Sequence, residues 1–328
     1  MDFPLQKKQM LMEDRLQVLD LEPPVTNHEN EILAGLSKQS KMLPPKFFYD
    51  QKGSELFDAI TELDEYYLTR TEKKILTDHQ SDIAKTISQE KIIIEPGSGS
   101  SEKIQLLLNK LKPDFYIPME ISTDYMLKVA RDLQMDFPDL ELLCIKADYT
   151  YEMPSVEQLP EGEKVAFFPG STIGNFSPEK ARTFLQSVRN MVGDDGALLL
   201  GVDLKKNVAI IEAAYNDSKG VTADFNLNIL SNINALTGSN FELKNWTHQA
   251  IYDEQKGCIN MYLVSNCEQH VTIADHNITF LKNEKIHTEN CYKFSLEDCQ
   301  TLCDEAGFNV NKVWTDDEQL FAVVYATV

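Results

Sequence analysis

The apolar positions of this chain change period along its length, and the changes mark out its organisation. Between residues 92 and 204, short continuous apolar runs (92–94, 115–119, 142–145, 165–168 and 197–204) alternate with segments of helical period such as 104–108 and 178–192. Continuous runs rich in β-branched and aromatic residues suit strands buried on both faces, and their alternation with helices predicts a largely parallel sheet. After Asp203 the pattern changes: helices are expected over 207–215 and 223–236, then a strand-rich block over 247–252, 257–264, 270–273 and 277–280, with mixed signals over 281–294. The chain closes with a helix over 296–306 and strands over 309–314 and 320–327. Ahead of the alternating region, helical signals fall at 29–36, 54–63 and 71–79, and aromatics crowd 46–50 and 65–70. Residues 1–40 are polar, with a Pro23-Pro24 break after a weakly periodic stretch over 10–21, and read as an N-terminal arm or a peripheral helix.

The first apolar run carries the strongest chemical signal. Ile92-Ile93-Ile94 ends in Glu95 and continues as Pro96-Gly97-Ser98-Gly99-Ser100-Ser101-Glu102-Lys103. Two glycines let the backbone turn tightly and leave room for a ligand against the main chain, and Ser100 or Ser101 can cap the helix that follows. No third glycine completes the dinucleotide fingerprint, and no Gly-Lys-Ser/Thr triplet completes a phosphate loop. The next two strands also end in acids, Glu120 and Asp148, the latter beside Tyr149. A carboxylate about 20 residues past the turn is placed to hold a ribose. Successive acids beside glycine turns suit S-adenosylmethionine better than a pyrophosphate cofactor, because its sulfonium and amine are cationic and its adenine needs an acceptor and an aromatic neighbour.

Composition narrows the partners. With 31 Lys and Arg against 52 Asp and Glu, the formal charge is -21, which disfavours nucleic acid as substrate. Six cysteines occur without a Cys-x-x-Cys pair, and Cys299 and Cys303 share one helical face as small buried side chains, so no metal set is expected. No membrane-spanning run or leader is expected, and the reading is of a cytoplasmic monomer acting on a small-molecule amino acid.

Several longer motifs bear a family likeness. Leu43-Pro44-Pro45-Lys46-Phe47-Phe48-Tyr49-Asp50, Gly53-Ser54-Glu55-Leu56-Phe57, Glu65-Tyr66-Tyr67 with Thr69-Arg70, the Gly97 to Lys103 turn, Gly170-Ser171-Thr172-Ile173-Gly174-Asn175 and His287-Thr288-Glu289-Asn290 resemble the L-histidine Nα-methyltransferases of ergothioneine biosynthesis. The resemblance runs from about residue 40 to the C-terminus. It implies an α/β fold: a Rossmann-like class I S-adenosylmethionine-dependent methyltransferase domain over 71–205 with 295–328, and a discontinuous α+β substrate-binding domain over 41–70 with 206–294, after an arm over 1–40. It implies threefold methylation of the histidine α-amine to hercynine, with no metal. It places the cofactor against Tyr49, Gly97, Lys103, Glu120, Asp148 and Tyr149. The carboxylate and amine of histidine fall to Tyr66, Asn175 and Tyr215, the pocket to Gly170, Thr172, Phe225 and Met261, and the imidazole to Glu289 with Cys291. Tyr49, Tyr66 or Asn175 is expected to orient the amine, with Tyr49 and Asn175 taken as the catalytic pair. Two positions depart from the pattern: Glu120 stands where aspartate is usual, and Cys291 where serine is expected.

Other readings remain open on the residues alone. Glu120 also suits a dinucleotide ribose, as in a nicotinamide-dependent oxidoreductase, and a non-catalytic sensor of histidine or cofactor would carry the same binding residues. Glu289 could accept an indole N–H, so tryptophan is an alternative acceptor. Taken singly, Tyr49, Tyr66 and Tyr215 could be packing aromatics, Met261 core, Asn175 a turn residue and Glu289 a solvated charge.

Overall fold

The structure, a computed structural model, describes residues 12–13, 15–22, 27–88 and 91–328. The chain divides into two compact units. The first comprises Met1–Pro24, Thr71–Leu204 and Phe294–Val328; the second comprises Val25–Arg70 and Lys205–Lys293.

In the first unit, nine strands form one sheet. In chain order they are β1 (Met12–Glu13), β2 (Leu16–Asp20), β3 (Ile92–Pro96), β4 (Phe115–Glu120), β5 (Glu141–Lys146), β6 (Lys164–Phe168), β7 (Ala197–Asp203), β13 (Asn309–Thr315) and β14 (Phe321–Thr327), and they lie in the order β1-β2-β5-β4-β3-β6-β7-β14-β13. Strands β2 to β7 pair in parallel, whereas β14 lies antiparallel between β7 and β13. Every residue of β3 and β7 is buried, which is why these runs carry no polar alternation. The helices here are α3 (Tyr67–Asp78, from Thr71 onward), α4 (Gln80–Ile87), α5 (Glu102–Leu111), α6 (Thr123–Asp136), α7 (Pro178–Val192) and α10 (Leu296–Ala306). Helix α7 starts as its sequence dictates, with Ser177 accepting from the Lys180 amide and Pro178 at the first helical position. Its buried face of Phe184, Leu185 and Val188 joins Ile94, Phe168 and Leu200 in the core.

The second unit holds a three-stranded antiparallel sheet, β12 (Lys285–Tyr292)-β9 (Cys258–Ser265)-β8 (Trp246–Asp253), a hairpin of β10 (Gln269–Ile273) and β11 (His276–Phe280), and helices α1 (His28–Leu36), α2 (Gln51–Thr61), α8 (Val208–Tyr215) and α9 (Val221–Thr237). Its polar framework explains one of the long motifs. Asp50 caps α2 by accepting from the Gly53 amide at 2.7 Å and also accepts from Asn228 Nδ2 at 2.7 Å. Gly53 is needed because a Cβ there would stand 1.6 Å from the Phe48 carbonyl oxygen. Glu65 accepts from both the amide and the hydroxyl of Ser218, at 3.1 and 2.7 Å. Much of the likeness over 43–65 is therefore architectural.

The elements differ from the sequence reading in four places. Instead of a peripheral helix near residue 20, Leu16–Asp20 is a strand that adds to the parallel sheet beside β5; residues 10, 11 and 14 of that stretch lie outside the described residues. Leu16, Val18 and Leu19 are buried there, so sheet pairing overrode a weak helical period. The mixed segment over 281–294 resolves into β12, whose period is broken by a bulge between His287 and Glu289. Helices α4 and α6 were not marked by the pattern. Of the segment expected as an arm, the described residues 27–40 fall in the second unit and 12–13 and 15–22 in the first.

Candidate functional site

The sequence candidates fall on both units. In the first, Gly97, Lys103, Glu120, Asp148, Tyr149, Gly170, Thr172 and Asn175 all follow or border the carboxyl ends of parallel strands, the edge at which α/β sheets bind ligands. Gly97 and Gly99 have φ of +69° and +50°, the left-handed region that side-chain-bearing residues avoid. The amides of Gly97 and Ser98 donate to the Met119 carbonyl at 2.9 and 3.3 Å, folding the turn over the end of β4. Glu120 ends β4 with Oε2 3.4 Å from the Gly99 amide, and burial raises its carboxyl above the usual range. A Cβ at Gly99 would meet no atom within 4 Å, whereas one at Gly97 would meet the Tyr149 ring at 2.9 Å. The turn is thus open at Gly99 and backed by an aromatic at Gly97, which fits an adenosyl cofactor with a carboxylate for its ribose hydroxyls. Asp148 is engaged by its own turn, accepting at Oδ1 from the amide and hydroxyl of Thr150 at 3.0 and 2.6 Å.

Two buried acids stiffen this edge. Glu95 accepts from Tyr116 Oη at 2.6 Å, and Tyr116 Oη lies 2.8 Å from Ser101 Oγ. Burial pushes the Glu95 carboxyl up to about 8, against the opposing effects of the Tyr116 hydrogen bond and the Lys103 charge. Ser101 does not cap α5 as expected: it adopts the left-handed conformation with no capping hydrogen bond, and its hydroxyl turns inward to Tyr116. Glu72, only 1% exposed on α3, pairs with Lys103 Nζ at 2.6 Å and accepts from the Gly170 amide at 2.9 Å with both oxygens. Glu72 therefore ties the lysine of the first glycine turn to the second turn. That turn continues through Ser171, left-handed at φ 57°, into a short 3-10 helix, Thr172–Asn175, with the Thr172 hydroxyl on the Pro169 carbonyl at 2.9 Å.

In the second unit, Tyr49, Tyr66, Tyr215 and Phe225 belong to one chain of rings. Phe225 stacks on Phe48 at 4.5 Å and meets Tyr49 edge-on at 5.9 Å, while Tyr66 meets Phe57 at 6.4 Å and Tyr215 at 6.2 Å. Tyr66, Tyr215 and Phe225 are buried, and Tyr49 is exposed. Met261 is buried on β9 and pairs across the sheet with Glu289 of β12. The bulge after His287 leaves both Thr288 and Glu289 buried, although neighbours on a regular strand face opposite ways. Burial pushes the Glu289 carboxyl up to about 7, with the charge of Lys293 pulling the other way. Cys291 is buried on the same strand.

Sequence reasoning missed Glu72, the Glu95–Tyr116 pair and Lys293 as contributors. A usable signal existed for two of them. Glu72 shares the apolar face of α3 with Ile75 and Leu76, so an acid occupied a core position of that helix. Lys293 continues the alternation of Glu289 and Cys291.

A doubly wound parallel sheet, an antiparallel β14 inserted beside β13, a glycine turn after β3 and an acid ending β4 define a Rossmann-like, S-adenosylmethionine-dependent methyltransferase. Within that class the chain belongs to the histidine-specific methyltransferase family, whose pattern matches residues 28–328, starting ahead of the likeness first noted near residue 40. The chain is similar to a histidine N-alpha-methyltransferase of Mycolicibacterium smegmatis, at 34% identity over 87% of this chain and 90% of that protein. Similarity to a histidine N-alpha-methyltransferase of Mycobacterium tuberculosis is 32% over 90% of this chain and 93% of that one. A Neurospora crassa protein named ergothioneine biosynthesis protein 1 is 31% identical over 84% of this chain, which spans 32% of that longer protein. Among the described residues no helix is long and apolar enough to cross a membrane, and no group of His, Cys, Asp or Glu could hold a metal ion.

Proposed function

We infer that this methyltransferase acts on the α-amine of L-histidine, adding methyl groups up to three times to give hercynine, a step of ergothioneine biosynthesis, as a cytoplasmic monomer. The observation that carries the reading is Glu289: a buried carboxylate on a bulged strand, close enough to neutral titration to accept from a ring N–H at physiological pH. A buried carboxylate favours an acceptor that brings a ring N–H to it, so Glu289 selects imidazole where apolar walls could not.

When bound, S-adenosylmethionine supplies an electrophilic methyl carbon on a sulfonium. On the first unit, Gly97 and Lys103 hold its methionine part, Glu120 its ribose, and Asp148 with Tyr149 its adenine; Gly170, Thr172 and Asn175 serve the amino-acid end of the acceptor. On the second, Tyr66 and Tyr215 hold the carboxylate and amine, Phe225 and Met261 shape the apolar wall, and Glu289 with Cys291 takes the imidazole. Tyr49, which the resemblance gives both to the cofactor and to orienting the amine, is the second unit's candidate for the amine, and Asn175 is the first unit's. The exposed Tyr49 ring sits beside Phe57 and Phe225, and rings of this kind favour the quaternary ammonium product by cation–π attraction. Transfer is an in-line displacement, so alignment and exclusion of water supply most of what the enzyme must contribute, and good alignment is worth about 7–11 kcal/mol.

The reading is tested by a competition assay in which each standard amino acid is offered with methyl-labelled S-adenosylmethionine. Label should pass to histidine far ahead of tryptophan or phenylalanine. Preferential labelling of tryptophan would move the assignment to a different amino acid, and a requirement for NADH would overturn the reaction class.

A further inference from the structure

The buried face that runs from β12 into the residue after it carries a charge that the roles above leave unused. Glu289, Cys291 and Lys293 alternate along the chain and are 8%, 5% and 2% exposed, so they share one buried face. A lysine is almost never fully buried unless its ammonium is partnered. Lys293 Nζ donates to Tyr215 Oη at 3.0 Å and to Cys291 Sγ at 3.2 Å, and stands 4.8 Å from the centroid of the Tyr215 ring. An ammonium has donors and no acceptor, so the Tyr215 oxygen must accept from it. The hydroxyl's own proton is thereby turned away from Lys293 and becomes a donor to some other group.

The backbone around Tyr215 is fixed by a second chain of hydrogen bonds. Thr288 Oγ1 donates to Asn226 Oδ1 at 2.8 Å, and Asn226 Nδ2 donates to the Tyr262 carbonyl at 3.0 Å and to His248 Nδ1 at 2.8 Å. With Nδ1 accepting, His248 is the Nε2–H tautomer and donates to the Tyr215 carbonyl at 2.8 Å. The bulge next to Glu289 and the end of α8 are therefore linked twice, through His248 at the backbone and through Lys293 at the side chain.

We propose that Lys293 is a specificity-determining positioning residue: it turns the Tyr215 hydroxyl outward as a donor for the acceptor's carboxylate and sets a positive charge beside Glu289, so that the second unit selects amino acids pairing a carboxylate with a ring N–H. This deepens the histidine reading and rests on it. The titratable groups on the elements around Glu289 are Lys285, His287, Cys291 and Tyr292 of β12 with Lys293 just past its end, Cys258 and Tyr262 of β9, Glu212 and Tyr215 of α8, and His248, Tyr252 and Asp253 of β8. Lys293 alone among them offsets the burial of the Glu289 carboxyl.

The test compares the wild type with Lys293→Met, Lys293→Arg, Tyr215→Phe and the Lys293→Met/Tyr215→Phe pair. Histidine KM should rise about 10- to 100-fold in Lys293→Met, the loss expected of hydrogen bonds to a charged group, with kcat changed far less. Lys293→Arg should recover part of it, and S-adenosylhomocysteine affinity and the melting temperature should hold as controls. In the Tyr215→Phe background the effect of Lys293→Met should shrink, because the shared hydrogen bond is already gone. The ratio of variant to wild-type KM, in which the ionisations of free histidine cancel, should fall as pH rises from about 7 to about 9, where Glu289 ionises without help. An unchanged KM in a folded Lys293→Met protein, or an undiminished effect in the Tyr215→Phe background, overturns the proposal. If Lys293→Met does not fold, Lys293→Gln carries the same comparison. Failure of the wild type to methylate histidine would instead sink the functional reading, and calorimetric histidine binding keeps the two outcomes apart.

Discussion

The two units arrange their chemistry in opposite ways. The first exposes it through main-chain turns at the ends of buried parallel strands, with positive φ at Gly97, Gly99 and Gly170 bringing backbone to the surface. The second buries it as side chains on and just past an antiparallel strand, where Glu289, Cys291 and Lys293 are buried together. A backbone-built edge tolerates side-chain change except at its glycines and their clamps. A side-chain-built cluster gains selectivity from groups that are expensive to leave unpaired. On the proposed reading, donor recognition rests on the fold, whereas acceptor recognition rests on a few polar side chains within a core.

Variants of the buried clamps test that contrast most severely. Glu72→Ala leaves Lys103 and the Gly170 amide without their shared acceptor, and breaking a buried pair typically costs about 3–5 kcal/mol. The expected outcome is a protein much less stable to urea, binding S-adenosylhomocysteine weakly; unchanged denaturation and cofactor affinity would show that the turns do not depend on the clamp.

Glu289→Gln should act on the other unit alone. Histidine binding should weaken by about 1.5–3 kcal/mol while S-adenosylhomocysteine binding stays level, both read by calorimetry. Equal losses for both ligands would break the comparison, because acceptor and donor recognition would not then be separable.

A smaller effect is expected at Glu95, and it is visible as a pH dependence. Its folded carboxyl titrates at about 8, above the ordinary value near 4.5. A group raised in this way contributes stability that is fully present below the unfolded value and is lost as pH rises through the folded one. Glu95→Gln should therefore flatten the decline in stability between those two values, measured by urea unfolding across the range; an unaltered slope would contradict a buried, protonatable Glu95.

The smallest effect is at Cys291. Serine there would offer Lys293 a better oxygen acceptor than the thiol sulfur and could also donate to imidazole. Cys291→Ser should tighten histidine by about 0.5–1.5 kcal/mol, and an unchanged or weaker dissociation constant would remove Cys291 from acceptor recognition.

The same contrast explains what could be read from the chain. Ile92-Ile93-Ile94 and the two glycines after it announced a buried strand and a turn, because parallel strands need continuous apolar runs and positive φ needs glycine. Strand β2 was not legible, since its pairing with β5 comes from tertiary context that outweighs local propensity. Nor was β12, whose bulge puts Thr288 and Glu289 out of alternation. The partners of the candidate residues were hidden for a related reason. Glu72 is separated from Lys103 and Gly170 by whole elements, so its place on the apolar face of α3 could mark the acid as inside but could not name its partners.

The central claim, that this chain methylates the α-nitrogen of histidine, is tested most directly by mass spectrometry of histidine incubated with the protein and S-adenosylmethionine. The account predicts mono-, di- and trimethylated species appearing in turn, with fragmentation placing every methyl on the α-nitrogen; methyl on the imidazole ring, or none at all with a folded and cofactor-binding protein, would contradict it.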